Sequence, residues 1–227
     1  MEQFTKKEEI PEILLYGLRA YMDMLGRSPQ QNQKMYPTAV WNKFKKDLGA
    51  LPEEKSGTDF ILDTEFTDLK DGKAISIALV EKKYPHRKFY IELSDTYTIN
   101  DCSDFVKKEV LPHLKGDIFK ADTETAAGLL NIYLNLFPRP WNMWSDCPPL
   151  DNKILNTIID ENDYVSCSLR DMDYLSALCY VEYSRRHPKF KDLNAHNALD
   201  DAFRFAVAYK DLEDALSTLD NTPGITA

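Results

Sequence analysis

The chain has 227 residues, of which 43% are hydrophobic and 29% are charged, a composition typical of globular proteins and not of disordered ones. No apolar run approaches the ~20 residues that cross a bilayer, and the N-terminus lacks an apolar signal core, so we expect neither a membrane span nor secretion. The net charge of −9 argues against a broadly basic surface of the kind that binds phosphates. Carboxylates that bind divalent cations would account for part of the excess of acidic over basic residues. The four cysteines form no CxxC pair, which predicts reduced thiols in a cytoplasmic protein.

Residues 1–57 are predicted to form a helical N-terminal extension. Apolar residues recur at helical spacing from Ile13 to Leu25, Pro11 suits a first turn, and a second helix is predicted over Ala39–Leu48. The polar segment GRSPQQNQKMYP between them is predicted to be a turn region, and LPEEKSGTD a linker. The apolar face of the first helix could dock on the core, form a homodimer or hold a protein partner. Docking is the simplest outcome, because an amphipathic helix must bury its stripe.

The pattern changes to strands after the linker. FILD, AISIALV and KFYIEL are short apolar or alternating runs separated by turns, which predicts a three-stranded antiparallel meander. Helical spacing returns over Ser103–Leu114 and Thr123–Leu136, the second with a cap at Asp122 or Thr123. A strand in PRPWNMWSD, a helix in DNKILNTII and a strand in DYVSCSL follow. The tail is predicted to form two helices, the second from His196 to Leu216.

The element order β-β-β-α-α-β-α-β-α-α predicts an α/β fold. Three antiparallel strands followed by alternating helices and strands imply a mixed sheet with helices packed on it. We assign residues 58–227 to this predicted domain and residues 1–57 to the helical extension. No internal repeat or low-complexity tract suggests a different architecture.

The first chemical signal is the acidic pair Asp63 and Glu65, which follows the apolar run FIL. Residues two apart on a strand point to the same face, so the two carboxylates are expected to project together. Adjacent anions repel each other and are costly unless a cation lies between them, and carboxylate oxygens suit Mg²⁺ or Mn²⁺. The alternative is an exposed strand end with two solvated acids.

The second signal lies at the start of the last predicted helix, where the sequence from His196 to Ala202 reads H-N-A-L-D-D-A. A histidine can accept a proton from water at neutral pH, and Asp201 could hold a metal ion beside that water. The alternative is an ordinary helix start, with His196 near the cap and both Asp200 and Asp201 exposed in the first turn, where acids are favoured.

The third signal is the segment S-D-C-P-P-L-D, which joins a predicted strand to a predicted helix. Asp151 is expected near the start of that helix, either as a metal ligand or simply as its N-cap. Asp146, at the end of the strand, is an alternative ligand.

Together these motifs resemble those of the DEDDh exonuclease superfamily, which includes ribonuclease T, oligoribonuclease and the proofreading subunit of bacterial replicative polymerase. The first family motif often reads D-T-E-T-T-G-L, and Asp63 to Leu69 reads D-T-E-F-T-D-L. The last motif often reads H-x-A-L-x-D-A, which His196 to Ala202 matches at every fixed position. The middle motif, in which an aspartate after an apolar residue opens a helix, is matched by the segment that begins at Leu150. The resemblance covers about residues 58–216 and implies a ribonuclease-H-like fold.

The resemblance also implies a role for each motif residue. His196 would be the general base. Phe66, which follows the ligand pair, could stack on the terminal base or could be an ordinary core side chain, and Thr64 is a second candidate for substrate contact. Asp68 replaces the glycine common in the first motif, and Asp146 replaces an asparagine often found before the middle motif. The implied ligands of two Mg²⁺ or Mn²⁺ ions are Asp63, Glu65, Asp151 and Asp201, with Asp146 as the alternative middle ligand.

The implied activity is metal-dependent 3′→5′ hydrolysis of phosphodiester bonds by a two-metal mechanism. Single-stranded 3′ ends would be the substrate, with RNA favoured over DNA because the middle motif and the plain three-strand opening look closer to small bacterial and phage exoribonucleases. The alternative is a catalytically inactive module on the same fold that binds nucleic acid or protein. Complete filling of the five motif positions argues against that alternative, because buried anions without metals are costly.

Overall fold

The computed structural model describes residues 4–6, 12–14, 17–18, 21, 35–48, 57–70, 72–158, 167–171 and 182–220. The chain divides into two compact units. The larger contains residues 55–172 and 192–206, and the smaller contains residues 1–54, 173–191 and 207–227. The boundary after residue 57 stays a prediction.

The smaller unit combines a short strand pair with helical segments. Strands β1 (Phe4–Lys6) and β2 (Met35–Pro37) are antiparallel, and helix α1 (Thr38–Leu48) follows directly. The helix predicted over Ala39–Leu48 is confirmed, and residues 12–14, 17–18 and 21 are also helical. The prediction of an all-helical extension missed the strand pair, because β2 lies in the predicted turn region and its partner is distant in sequence. Buried apolar side chains of this unit include Ile13, Leu14, Leu18, Tyr21, Val40 and Phe44 from its N-terminal segment, and Tyr183, Phe190, Ala208, Tyr209, Leu212 and Ala215 from its later segments.

The larger unit contains a six-stranded mixed sheet in the order β6-β5-β4-β3-β7-β8. Strand β3 pairs antiparallel with β4, which pairs antiparallel with β5, so the predicted meander is confirmed. Strands β7 and β8 continue the sheet in parallel on the other side of β3. The strands are β3 (Thr58–Phe66), β4 (Ala74–Glu81), β5 (Lys88–Leu93), β6 (Lys120–Ala121), β7 (Trp141–Ser145) and β8 (Cys167–Asp171).

Helices flank this sheet, as the element order predicted. Asp122 caps its helix by accepting a hydrogen bond from the Thr125 amide at 2.8 Å. The helix predicted over Ser103–Leu114 is shorter, because a 3-10 turn containing Pro112 follows it. The two-residue strand β6 was not predicted. The helices are α2 (Asp104–Glu109), α3 (Thr123–Leu134), α4 (Pro148–Leu155) and α5 (Ala198–Asp220), the last with residues 198–206 in this unit.

An apolar core fixes the positions of the two central strands, β3 and β4. All eight residues of β4 are buried, and most of β3 is buried beside it. Burial of this apolar surface is the main stabilising contribution, at roughly 25 cal/mol per Å². Helices α3 and α4 pack against one face of the sheet. The buried core residues include Phe60, Leu62, Leu79, Ile91, Trp141 and Met143 from the strands, with Leu130, Leu134, Ile154 and Leu155 from the helices.

Two glycines provide a matched test of this fold. Gly57 precedes β3 with φ of +114°, and a Cβ added there would lie 2.0 Å from the carbonyl oxygen of Pro140. Gly128 lies within α3, and a Cβ there would have no atom within 4 Å. We predict that Gly57→Ala lowers the free energy of unfolding by on the order of 2 kcal/mol, whereas Gly128→Ala raises it by ~0.5–1 kcal/mol. Urea titrations of both variants would contradict the described backbone if the two changes had the same sign.

Candidate metal centre

The acidic pair lies near the C-terminal end of strand β3. Asp63 and Glu65 occupy alternate positions of β3 and share one face, as their spacing predicted. The register with β4 shifts between Glu65 and Phe66, and such irregularities redirect side chains at strand ends. The loop that follows is held down because the Thr67 amide donates to the Lys73 carbonyl at 3.0 Å.

Asp201, in the first turn of α5, completes a cluster with this pair. One carboxylate oxygen from each of Asp63, Glu65 and Asp201 lies within 4.8 Å of the other two, and all three side chains are half-buried. This arrangement of hard oxygen ligands could bind a metal ion. Residues that are 136 or more positions apart in sequence are brought together because the end of β3 faces the start of α5.

Burial and mutual repulsion make these acids hard to ionise. Burial, then the charge of Glu65, raises the pKa of Asp63 well above its usual range. Burial, then the charge of Asp201, raises the pKa of Glu65 from 4.5 to about 8. At neutral pH the cluster therefore retains protons unless a cation replaces them.

Two donors hold Asp201 in place. Its Oδ1 accepts a hydrogen bond from the Arg204 guanidinium at 2.8 Å, and its Oδ2 accepts one from the backbone amide of His196 at 2.9 Å. Burial raises the pKa of Asp201, and the positive charge of Arg204 and the His196 amide oppose that shift. The carboxylate is therefore oriented by its neighbours.

Asp151 is buried and is not the N-cap of α4, which is Cys147. Its carboxylate accepts hydrogen bonds from the Thr64 hydroxyl, at 2.5 Å, and from the Ser145 hydroxyl. Burial raises the pKa of Asp151 to about 6, although both hydroxyls act in the opposite direction. The N-cap interpretation of Asp151 is therefore wrong, and its side chain is instead fixed beside β3.

The choice between the two middle aspartates stays open. Neither Asp151 nor Asp146 belongs to the three-residue cluster, but both charges raise the pKa of Asp63. Asp146 is exposed, directly after the end of β7, whereas Asp151 is 2% exposed. Either aspartate could supply a further ligand to an ion bound by the three-residue cluster.

His196 stands at the edge of this cluster, exposed to solvent. Its backbone has φ of +61°, a left-handed conformation that is uncommon outside glycine. Its ring meets the half-exposed ring of Phe105 edge to face, with centroids 5.0 Å apart. A solvent-accessible imidazole whose backbone amide is bonded to Asp201 can exchange a proton with water.

The alternative of an ordinary, solvated helix start is not what the structure shows. Asp200 is buried and forms a salt bridge with Lys115 at 2.8 Å, so its charge is already paired. Asn197 is fully buried and accepts a hydrogen bond from the Asp200 amide at 3.2 Å. Adjacent aspartates thus have different environments, and only Asp201 faces the other acids.

The two predicted substrate contacts have other neighbours. The Thr64 side chain is buried and its hydroxyl is used by Asp151, so it orients that carboxylate. Phe66 is half-buried and packs against the apolar core, close to Gly72. Contact of either residue with substrate stays a prediction.

Sequence reasoning missed three residues of this site. Arg204 follows Asp201 by three residues, a helical spacing that would have suggested the pair. Ser145 lies in the singled-out segment S-D-C-P-P-L-D, but its hydrogen bond to Asp151 was not predicted. Phe105 gave no local signal, because its partner His196 is distant in sequence.

Comparison with known families finds no family model that matches the chain, and no curated protein matches it either. The resemblance to DEDDh exonucleases accordingly stays a prediction that rests on the motif residues. Among the residues that the structure describes, no helix combines the length and apolarity needed to span a bilayer.

The raised pKa of Glu65 predicts how stability depends on pH without metal. A carboxyl group with a higher pKa in the folded protein binds its proton more tightly when folded, so its contribution is lost as pH rises from 4.5 to about 8. In EDTA we expect the free energy of unfolding to fall by on the order of 2 kcal/mol between pH 5 and 8. Mg²⁺ should reverse the loss, and Glu65→Gln should show a shallower slope in urea titrations. A wild-type profile that is flat in EDTA would contradict this electrostatic description.

Proposed function

We propose that the protein is a metal-dependent 3′→5′ exonuclease with a ribonuclease-H-like domain. The observation that carries this proposal is the convergence of Asp63, Glu65 and Asp201 within 4.8 Å, next to the exposed His196. These are four of the five motif residues, and the fifth, Asp151, is fixed beside the same strand.

The topology of the larger unit supports the proposed fold family. Three antiparallel strands precede parallel ones, and the acidic pair lies on the central strand. The mixed sheet flanked by helices is the arrangement that the family resemblance implies. Membership of that family is part of the proposal.

The donor set fits hard divalent cations such as Mg²⁺ or Mn²⁺. Carboxylate oxygens are the ligands these ions prefer. A bound cation would also relieve the repulsion within a half-buried cluster of acids with raised pKa values. Asp63, Glu65 and Asp201 would hold the ions, with Asp151 or Asp146 contributing from the side. When bound, two such ions acidify water and stabilise the leaving oxygen of a phosphodiester.

The chain's own groups then have distinct tasks. His196 accepts the proton from the attacking water, whose oxygen forms the new bond to phosphorus as the bond to the 3′-oxygen breaks. Asp201 holds the His196 backbone through a hydrogen bond of 2.9 Å, so base and ligand keep a fixed relation. The products are a nucleoside 5′-monophosphate and an oligonucleotide that is one nucleotide shorter. Single-stranded 3′ ends are the proposed substrate, and RNA is favoured over DNA on the motif resemblance.

The direct test uses 5′-labelled single-stranded RNA and DNA of one sequence, with Mg²⁺, Mn²⁺ or EDTA. We expect a ladder that shortens from the 3′ end with either metal and not with EDTA. Asp63→Ala and His196→Ala should each lower kcat at least ~10²-fold, because a ligand or the general base is lost.

Matched controls separate these roles from general damage. Asp117 and His86 are exposed and lie outside the acidic cluster, so Asp117→Ala and His86→Ala should keep the wild-type rate. If neither substrate is shortened with any metal, the exonuclease proposal fails. Oligonucleotide binding without cleavage would then favour an inactive binding module.

A further inference from the structure

A buried polar network lies behind the proposed base and contains groups that the reaction itself does not use. Tyr90 and Glu92 stand on one face of β5, and the Tyr90 hydroxyl donates to Glu92 Oε1 at 2.9 Å. The same hydroxyl accepts a hydrogen bond from Asn197 Nδ2 at 3.3 Å. All three residues are less than 9% exposed, so each hydrogen bond lies away from competing water.

The network also includes the loop that contains Lys115 and Gly116. Glu92 Oε1 accepts hydrogen bonds from the backbone amides of Lys115, at 2.5 Å, and of Gly116, at 3.2 Å. The Lys115 side chain pairs with Asp200, whose amide donates to Asn197 Oδ1. Hydrogen bonds between side chains and backbone amides, together with the Lys115–Asp200 ion pair, thereby link strand β5, this loop and the first turn of α5.

Asn197 is the point where this network reaches the proposed site. It directly follows His196, and its Nδ2 also donates to the His113 carbonyl at 2.8 Å. A non-glycine residue with φ of +61° persists only where its surroundings determine the backbone, and for His196 the adjacent anchor is Asn197. The His196 amide then reaches Asp201 Oδ2, so the same anchor sets base and ligand together.

The protonation of Tyr90 is consistent with its place in the chain of donors. Burial, then the charge of Glu92, raises the pKa of Tyr90 far above neutral pH. The hydroxyl therefore keeps its proton for Glu92 and offers a lone pair to Asn197.

We propose that Tyr90 and Asn197 are positioning residues, which hold His196 and Asp201 in register through the buried network with Glu92. Neither residue touches the reacting atoms in this account. The inference rests on the proposed function, since it assigns the network a role in the same site.

The test compares two Tyr→Phe variants that each remove one hydroxyl from a buried or half-buried ring. Tyr90→Phe removes a hydroxyl that joins the network. Tyr133→Phe is the matched control, because the Tyr133 hydroxyl has no hydrogen-bond partner among the described residues. Asn197→Ala, which breaks the anchor itself, is the third variant.

Two readouts separate positioning from folding. On the single-stranded oligonucleotide that the wild type shortens, we expect Tyr90→Phe to lower kcat by about tenfold with KM within about twofold, since small misplacement of a reacting group costs rate more than binding. The dissociation constant for Mn²⁺, measured by electron paramagnetic resonance, should rise by at least about threefold in Asn197→Ala, because Asp201 loses its fixed orientation. Tyr133→Phe should leave both quantities unchanged.

The possible failures are distinguishable. If Tyr90→Phe matches Tyr133→Phe in kcat, KM and Mn²⁺ affinity, the positioning role is wrong while the exonuclease proposal stands. If the wild type shortens no oligonucleotide, the proposed function fails, and equal Mn²⁺ affinities across the variants would overturn the positioning role as well. A weaker Mn²⁺ affinity confined to Tyr90→Phe and Asn197→Ala would support it on its own.

Discussion

Repulsion among half-buried carboxylates is the constraint on which the rest of the site depends. Asp63 and Glu65 lie near the end of β3 in the mixed sheet, where β4 pairs with them and both side chains are half-buried. Asp201 adds a third acid from α5. Carboxylates with raised pKa values must keep their protons or acquire a cation, so the cluster is stable in two states that differ in protonation. A bound cation would relieve this repulsion, which favours a cation-binding role over a purely structural one.

The surroundings of the cluster fix its geometry before any ligand arrives. Asp151 is held by two hydroxyls, and Asp201 is held by Arg204 and by the His196 amide. Such outer hydrogen bonds keep ligands in a productive orientation, and sites without them lose metal affinity and rate. The polar network through Asn197 gives comparable support to His196, the proposed general base. The geometry of the acidic cluster therefore depends on these supporting residues as much as on the motif residues.

The sequence predicted the parts of this arrangement that depend on local periodicity. Strand spacing placed Asp63 and Glu65 on one face, and helical spacing placed Asp201 in the first turn of α5. Partners that lie on other elements could not be predicted, because no local pattern encodes them. The pairing of β1 with β2 and the hydrogen bond from Thr64 to Asp151 are of this kind. The different environments of Asp200 and Asp201 likewise could not be predicted without the position of Lys115, which pairs with Asp200.

The most direct test of the central claim is the proton balance of metal binding. Mn²⁺ would be titrated calorimetrically into the wild type at pH 7, in buffers of different ionisation enthalpy, with Glu65→Gln alongside. Because the pKa of Glu65 is about 8 without a cation, binding should release about one proton per protein, and the variant should release fewer. Binding without proton release, or no binding at all, would contradict the account of a protonated acid cluster that exchanges its protons for a cation.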